Sequence, residues 1–194
     1  MASLLEGLTQ QLSGAALQQV SRQLGTNDAN AGSAISAALP MILGALAKNA
    51  SRPEGAEALN RALQKDHDGS VLNDVQGAVS GYEQGSGAAI LKHVFGGKQD
   101  AVATGVGQAA GLDTSKAGAL LAMLAPVVMG ALGKAQRSGS LDAGGLAAML
   151  GQERQHLETK SAGLGSLLSM LDADKDGSIV DDVLGMAAKF LGKR

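Results

Sequence analysis

Leu4, Leu5, Leu8, Leu12, Ala15, Ala16, Val20 and Leu24 recur at three- and four-residue steps with Gln and Ser between them, so the spacing predicts one amphipathic helix from Leu4 to Leu24. Gly25 ends it, and Thr26-Asn27-Asp28 supplies side-chain oxygens that cap a second helix over roughly Asp28 to Asn49. The same plan returns later: an apolar-periodic stretch from Ala88, a stop at Gly111, a cap at Asp113-Thr114-Ser115 and a helix from about Ser115 to Gln136. Pro40 and Pro126 lie well inside the two long helices. A proline there deletes an intrahelical hydrogen bond and clashes with the preceding turn, so each helix is expected to kink or to break in two. Gly44 and Gly130, four residues further on, are expected to admit another helix at close range.

Between these stretches the chain reads as connectors and shorter helices. Ser51-Arg52-Pro53-Glu54-Gly55 predicts a loop, followed by an amphipathic helix through Leu59 and Leu63; Ser138 to Asp142 leads into a helix around Leu146 to Leu150. Gln152 to Lys160 is polar and reads as a solvated helix end or loop. Gly81 to Gly87 is the densest glycine connector. No run alternates β-branched and polar residues as a strand requires, which points to an all-α class.

The recurrence extends to residue identity. Leu39-Pro40-Met41-Ile42-Leu43-Gly44-Ala45-Leu46-Ala47-Lys48 returns 86 residues later as Ala125 to Lys134, and Asp68-Gly69-Ser70-Val71-Leu72-Asn73-Asp74-Val75 returns 108 residues later as Asp176 to Val183. The difference places a 22-residue insertion in the second copy, between Arg137 and Met170. The expected fold is therefore an all-α, pseudo-symmetric helical domain built from two tandem repeats with Pro-kinked central helices. The first repeat spans 1–85, the second 86–194 with the insertion near 138–170, and the two pack as one domain.

Composition narrows the function classes. Of 194 residues 45% are apolar but only 2% aromatic, so Ala, Leu, Val, Met and Ile must fill the core, and 28 glycines let helices approach closely. A net charge of −2 and one Tyr, two Phe and no Trp leave neither the basic face nor the stacking platform of a nucleic-acid binder. Without cysteine there is no disulfide framework and no thiolate chemistry. The first residues lack a basic region and an unbroken apolar stretch, so a cytoplasmic location is expected. Two uncharged windows, Ala31 to Ala47 and Ala117 to Gly133, are short, split by proline and rich in Ala and Gly, and read as core helices rather than membrane spans.

One motif carries chemistry. Asp172-Ala173-Asp174-Lys175-Asp176-Gly177-Ser178 follows the first half of a calcium-binding loop, which needs acidic oxygens at positions 1, 3 and 5, glycine at 6 and a backbone carbonyl at 7. Position 12 is Val183 where a bidentate acid belongs, and Asp181 and Asp182 come two residues and one residue early. The candidate calcium ligands are Asp172, Asp174, Asp176, Ser178, Asp181 and Asp182. The same residues also make a turn and a helix cap, with Ser178 and Asp181 spaced as a capping box; Ser70 and Asn73 do likewise in the first copy, where Gln64, Asp66 and Asp68 form a poorer ligand set.

Other motifs reduce to structure. His67, His93 and His156 are too scattered for a metal cluster, and His93, flanked by apolar residues, reads as a partly buried side chain. Gly96-Gly97-Lys98-Gln99 lacks the earlier glycine and the Ser or Thr of a phosphate loop and reads as a helix stop. No residue stands out as a catalytic base or nucleophile, so no catalytic residues are assigned and no enzyme is expected.

Three segments together resemble the bacterial YidB-like proteins, a family of unknown function: Gly87-Ala-Ala-Ile-Leu-Lys-His-Val-Phe-Gly-Gly-Lys-Gln99, the helix Leu124-Ala-Pro-Val-Val-Met-Gly-Ala-Leu132, and the ending from Leu171 through Asp172 to Gly185. The resemblance implies an all-α fold and no established catalytic activity. The function expected is that of a non-enzymatic soluble helical protein acting by self-association or by contact with another protein, with no nucleic-acid partner and no membrane. The alternative is a calcium-binding or calcium-responsive module using the 172–183 loop, calcium being the one cofactor considered.

Overall fold

The computed structural model of the chain describes residues 3–160, with side chains to Leu157. The candidate calcium ligands Asp172 to Asp182, and the helix expected after them, lie outside the described residues. Contacts divide the chain into one compact unit ending at Arg154 and a second from Gln155 onward. Residues on both sides of Gly85 belong to the first unit. Of the second, only the continuation of a helix to Lys160 is described.

Every regular element among the described residues is helical. The long helices α3 (Asp28–Ala50) and α8 (Thr114–Gly139) pack against each other, and the shorter ones surround them: α1 (Leu4–Gln11), α2 (Ala15–Leu24), α4 (Pro53–Asp66), α5 (Val75–Ser80), α6 (Gly87–Phe95), α7 (Gln99–Ala110) and the start of α9 (Ala143–Lys160). Ala38, Leu39 and Ile42 on α3, and Leu120, Leu124, Val127, Val128 and Leu132 on α8, have no exposed surface and form the centre. Both helices pass a length and hydropathy test for crossing a membrane, yet half of the window in α3 and two thirds of that in α8 are buried inside the protein.

Cap chemistry explains where the long helices begin. Asn27 accepts the amide of Asn30 at 2.8 Å and Asp113 accepts that of Lys116 at 2.8 Å, each taking up an amide that the first turn cannot satisfy. The helices before them end on glycines with left-handed backbone, Gly25 at φ 57° and Gly111 at φ 66°. Pro40 and Pro126 do not break their helices; α3 and α8 each run through the proline as one element. The lost hydrogen bond is a local cost, and the apolar burial on both sides of it holds the helix together.

Three expectations are corrected. The helix expected from Leu4 to Leu24 is two helices, broken at Ser13-Gly14, where Gly14 takes φ 59° and ψ −122°. Leu8, Leu12, Ala16, Val20 and Leu24 are all buried, but a strict four-residue step advances about 40° each time at 100° per residue, so a straight helix would turn Leu8 and Leu24 about 160° apart. The break lets both ends face one core. The loop expected at Ser51 to Gly55 is shorter, because Pro53 opens α4 at a first-turn position where its missing N–H costs nothing. His93, expected to be partly buried, is exposed.

Candidate functional site

α4 ends against α8, and the turn that follows it forms the wall of a cleft of about 180 Å³, lined by the stretch Asp66 to Val71 with Ser86 and Pro126. Glycines on α8 admit that turn. A Cβ on Gly133 would run into the carbonyl oxygen of His67, and one on Gly130 would run into the Val71 side chain. Gly69, at φ 90°, makes the reversal that brings the turn down onto Gly130 and Lys134. The close approach expected at Gly130 is made by the short 3₁₀ turn Ser70–Asn73 and not by one of the α-helices. Gly44, its counterpart on α3, has open space where a Cβ would stand.

Arg137 fastens the turn from the other side. Its guanidinium donates to the carbonyls of Leu63 at 3.4 Å, Gln64 at 3.5 Å and His67 at 3.3 Å, which are the free acceptors at the C-terminal end of α4. A cation there also meets the negative end of the helix dipole. Within the turn, Asp68 Oδ1 accepts the Ser70 amide at 2.9 Å. Residues Ser70–Asn73 form a 3₁₀ turn with no side-chain cap, and the cap expected from Ser70 and Asn73 is made further on by Asp74, which accepts the Gly77 amide at 2.8 Å at the start of α5.

The electrostatics of the cleft follow from this bonding. Hydrogen bonds from the Ser70 hydroxyl and amide hold the Asp68 carboxyl below its ordinary value, with a smaller contribution from the Arg137 charge. Burial lowers the His67 imidazole, partly offset by the Asp66 carboxylate. A carboxylate stabilised in its ionised form is a weak proton acceptor, so Asp68 is poorly suited to activate the Ser70 hydroxyl that it binds. Among the described residues no three or more His, Asp or Glu side chains are grouped to hold a metal ion. Asp66 and Asp68 both line the cleft, and the Asp68 carboxylate serves turn geometry through its bond to Ser70.

A family model described as "Bacterial protein of unknown function (DUF937)" matches residues 6–135. The chain belongs to this family. The match is consistent with the YidB-like resemblance of the sequence, and it ends before the aspartate-rich segment, giving the calcium-loop likeness no support. No curated protein and no solved structure matches the DUF937 chain.

The residues that build the cleft were only partly legible in this DUF937 sequence. Asp68, Gly69 and Ser70 stood out as a turn, but Gly133 and Arg137 did not, because their counterparts 86 residues earlier are Ala47 and Ser51 and the repeat pattern drew no attention to them. Ser86 reaches the cleft from the glycine-rich connector.

Proposed function

We propose that the chain is a non-enzymatic helical protein, made of two tandem copies of one helical plan, that acts by self-association. The observation that carries this reading is the contact of α3 with α8 inside one chain. The two helices share the proline-centred sequence 86 residues apart, so each is the other's partner and its near copy. A surface that binds a copy of itself within a chain has the chemistry to bind one between chains. The matched left-handed glycine stops at Gly25 and Gly111 and the Asn27 and Asp113 caps support the duplication. The binding of Asp68 to Ser70, and of Arg137 to three carbonyls, supports a structural use of the cleft over a catalytic one.

Light scattering behind size exclusion tests the proposal, run across a concentration series in excess calcium and in chelator. A mass above one chain that falls on dilution in both buffers is the expected result. A single-chain mass throughout overturns self-association. A mass that changes with calcium favours the alternative reading, in which Asp172, Asp174 and Asp176 bind the ion, and directs the next step to their Ala variants.

A further inference from the structure

We propose that self-association proceeds by exchange of α1 between two copies, with Ser13-Gly14 as the hinge that opens. This deepens the self-association reading and rests on it. In the closed chain α1 packs against α3 and α8, with Leu8 and Leu12 buried. Its free N-terminal amides are held from a distant part of the chain: the Glu153 carboxylate accepts the amides of Leu4 at 3.1 Å and Leu5 at 2.9 Å. Every one of these contacts is between α1 and the rest of the unit. A second copy's α1 therefore makes all of them unchanged, and the only part that must differ between a closed and an exchanged chain is the hinge.

The hinge is built to have two states. Gly14 at φ 59° and ψ −122° occupies backbone space that side-chain-bearing residues rarely enter, and the bend is closed by Ser13, whose hydroxyl donates to the Gln10 carbonyl at 2.6 Å. The sequence on either side is helical, and its apolar periodicity runs through the bend without interruption from Leu4 to Leu24. Straightened, α1 and α2 become one helix of about 30 Å. In that helix the faces carrying Leu8 and Leu24 point about 160° apart, so the two ends cannot both lie on one core. They can lie on two. The C-terminal end stays on its own chain's core and the N-terminal end enters the groove of the neighbour, where Leu8 and Leu12 are buried and the partner's Glu153 receives the helix amides. The occupant is a second copy of this chain, because the groove already fits this helix and no other segment is needed to fill it.

The experiment compares the full-length chain with two hinge variants by light scattering across a concentration series, with circular dichroism as a check on helix content. Gly14→Ala disfavours the bend and favours the straight helix. Each hinge gains roughly fivefold toward helix from propensity alone and a dimer contains two, so the association constant rises roughly 25-fold. A Gly-Ser-Gly-Ser insertion after Ser13 gives the bend slack, favours closure within one chain and moves the mass to that of a single chain. These two opposite shifts are the expected result. A dimer that forms equally in the wild-type chain and in the insertion variant overturns exchange while self-association stands. A single-chain mass for the wild type and for both variants overturns exchange and self-association together. Should Gly14→Ala fail to fold, the wild-type and insertion comparison decides by the same criteria.

Discussion

The carboxylate of Glu153 accepts the backbone amide of Leu5 at 2.9 Å, joining residues 148 positions apart. Its other oxygen takes the Leu4 amide, and the reciprocal Ser3 and Glu6 bonds complete a capping box, so the first turn of α1 is satisfied from both ends of the unit's sequence. Glu153 is itself 9% exposed. Glu153→Ala leaves two amides without their acceptor and removes a negative charge from a helix N-terminus, at an expected cost of about 2 kcal/mol in urea unfolding. Glu153→Gln keeps one acceptor oxygen and is expected to lose about half as much. Equal unfolding midpoints for Glu153→Ala and the wild type would show that α1 is held by its apolar contacts alone.

Two glycine substitutions of one kind separate α8 from α3. Gly133→Ala drives a methyl into the backbone carbonyl of His67, and backbone cannot swing aside as a side chain can. We expect a loss of about 3 kcal/mol, at the upper end of overpacking effects. Gly44→Ala, also mid-helix, meets open space and exchanges a poor helix former for the best, so stability rises by about 1 kcal/mol. Thermal melts of the two variants shift in opposite directions; shifts of the same sign would mean that the turn is not seated on α8 as described.

That contrast shows what could be read from the chain and what could not. The starts of α3 and α8 were legible to within one residue, because Asn27 and Asp113 cap them, and Gly25 and Gly111 stop the helices before them, by local chemistry that does not depend on the rest of the fold. The break at Gly14 was not, since apolar spacing continues through it and only the need to turn Leu8 and Leu24 toward one core reveals the bend. Gly44 and Gly130 match in sequence and differ in use because a non-local partner, the Gly69 to Val71 turn, reaches only the second. The clamp from Glu153 left no trace in the pattern at all, as its residue sits in a stretch that reads as solvated polar helix. The candidate calcium loop was conspicuous in sequence and stands outside the described residues.

Stability should depend on the His67 imidazole in mild acid. Burial lowers its proton affinity below the ordinary value of 6.5, so the unfolded chain takes up the proton first as the pH falls. The unfolded state then binds more protons than the folded one, and stability declines as the pH drops below that value. The imidazole is half-buried, so the decline is shallow. Asp68 acts in a lower range: its folded-state value is depressed from 3.8, and the stability it contributes is present above that value and lost as the pH falls through the depressed one. His67→Gln should therefore flatten the dependence of the urea midpoint on pH in the range just below 6.5 and leave the lower limb unchanged. An unchanged slope in the variant would place the sensitivity elsewhere.

Gln136 is 3% exposed on α8; its Nε2 donates to Asn60 Oδ1, while its Oε1 has no hydrogen-bond partner among the described residues. A buried acceptor without a donor costs about 1–3 kcal/mol relative to one that is bonded. Gln136→Leu removes that orphan oxygen and keeps a similar volume, at the loss of one bond to Asn60, a half-exposed residue that water can reach. The two effects nearly cancel, with a net gain of up to about 1 kcal/mol. Gln136→Glu keeps the shape but buries a charge, while the neighbouring Arg137 guanidinium is engaged by the Leu63, Gln64 and His67 carbonyls, and the expected cost is several kcal/mol at neutral pH. Protonating that carboxyl removes the charge, so the penalty of the Glu variant relative to wild type shrinks as the pH falls toward the carboxyl range. Urea midpoints for both variants at neutral and acid pH check this. A Glu variant as stable as the wild type at neutral pH would show that the site is open to water, and that the unpaired oxygen imposes no cost there.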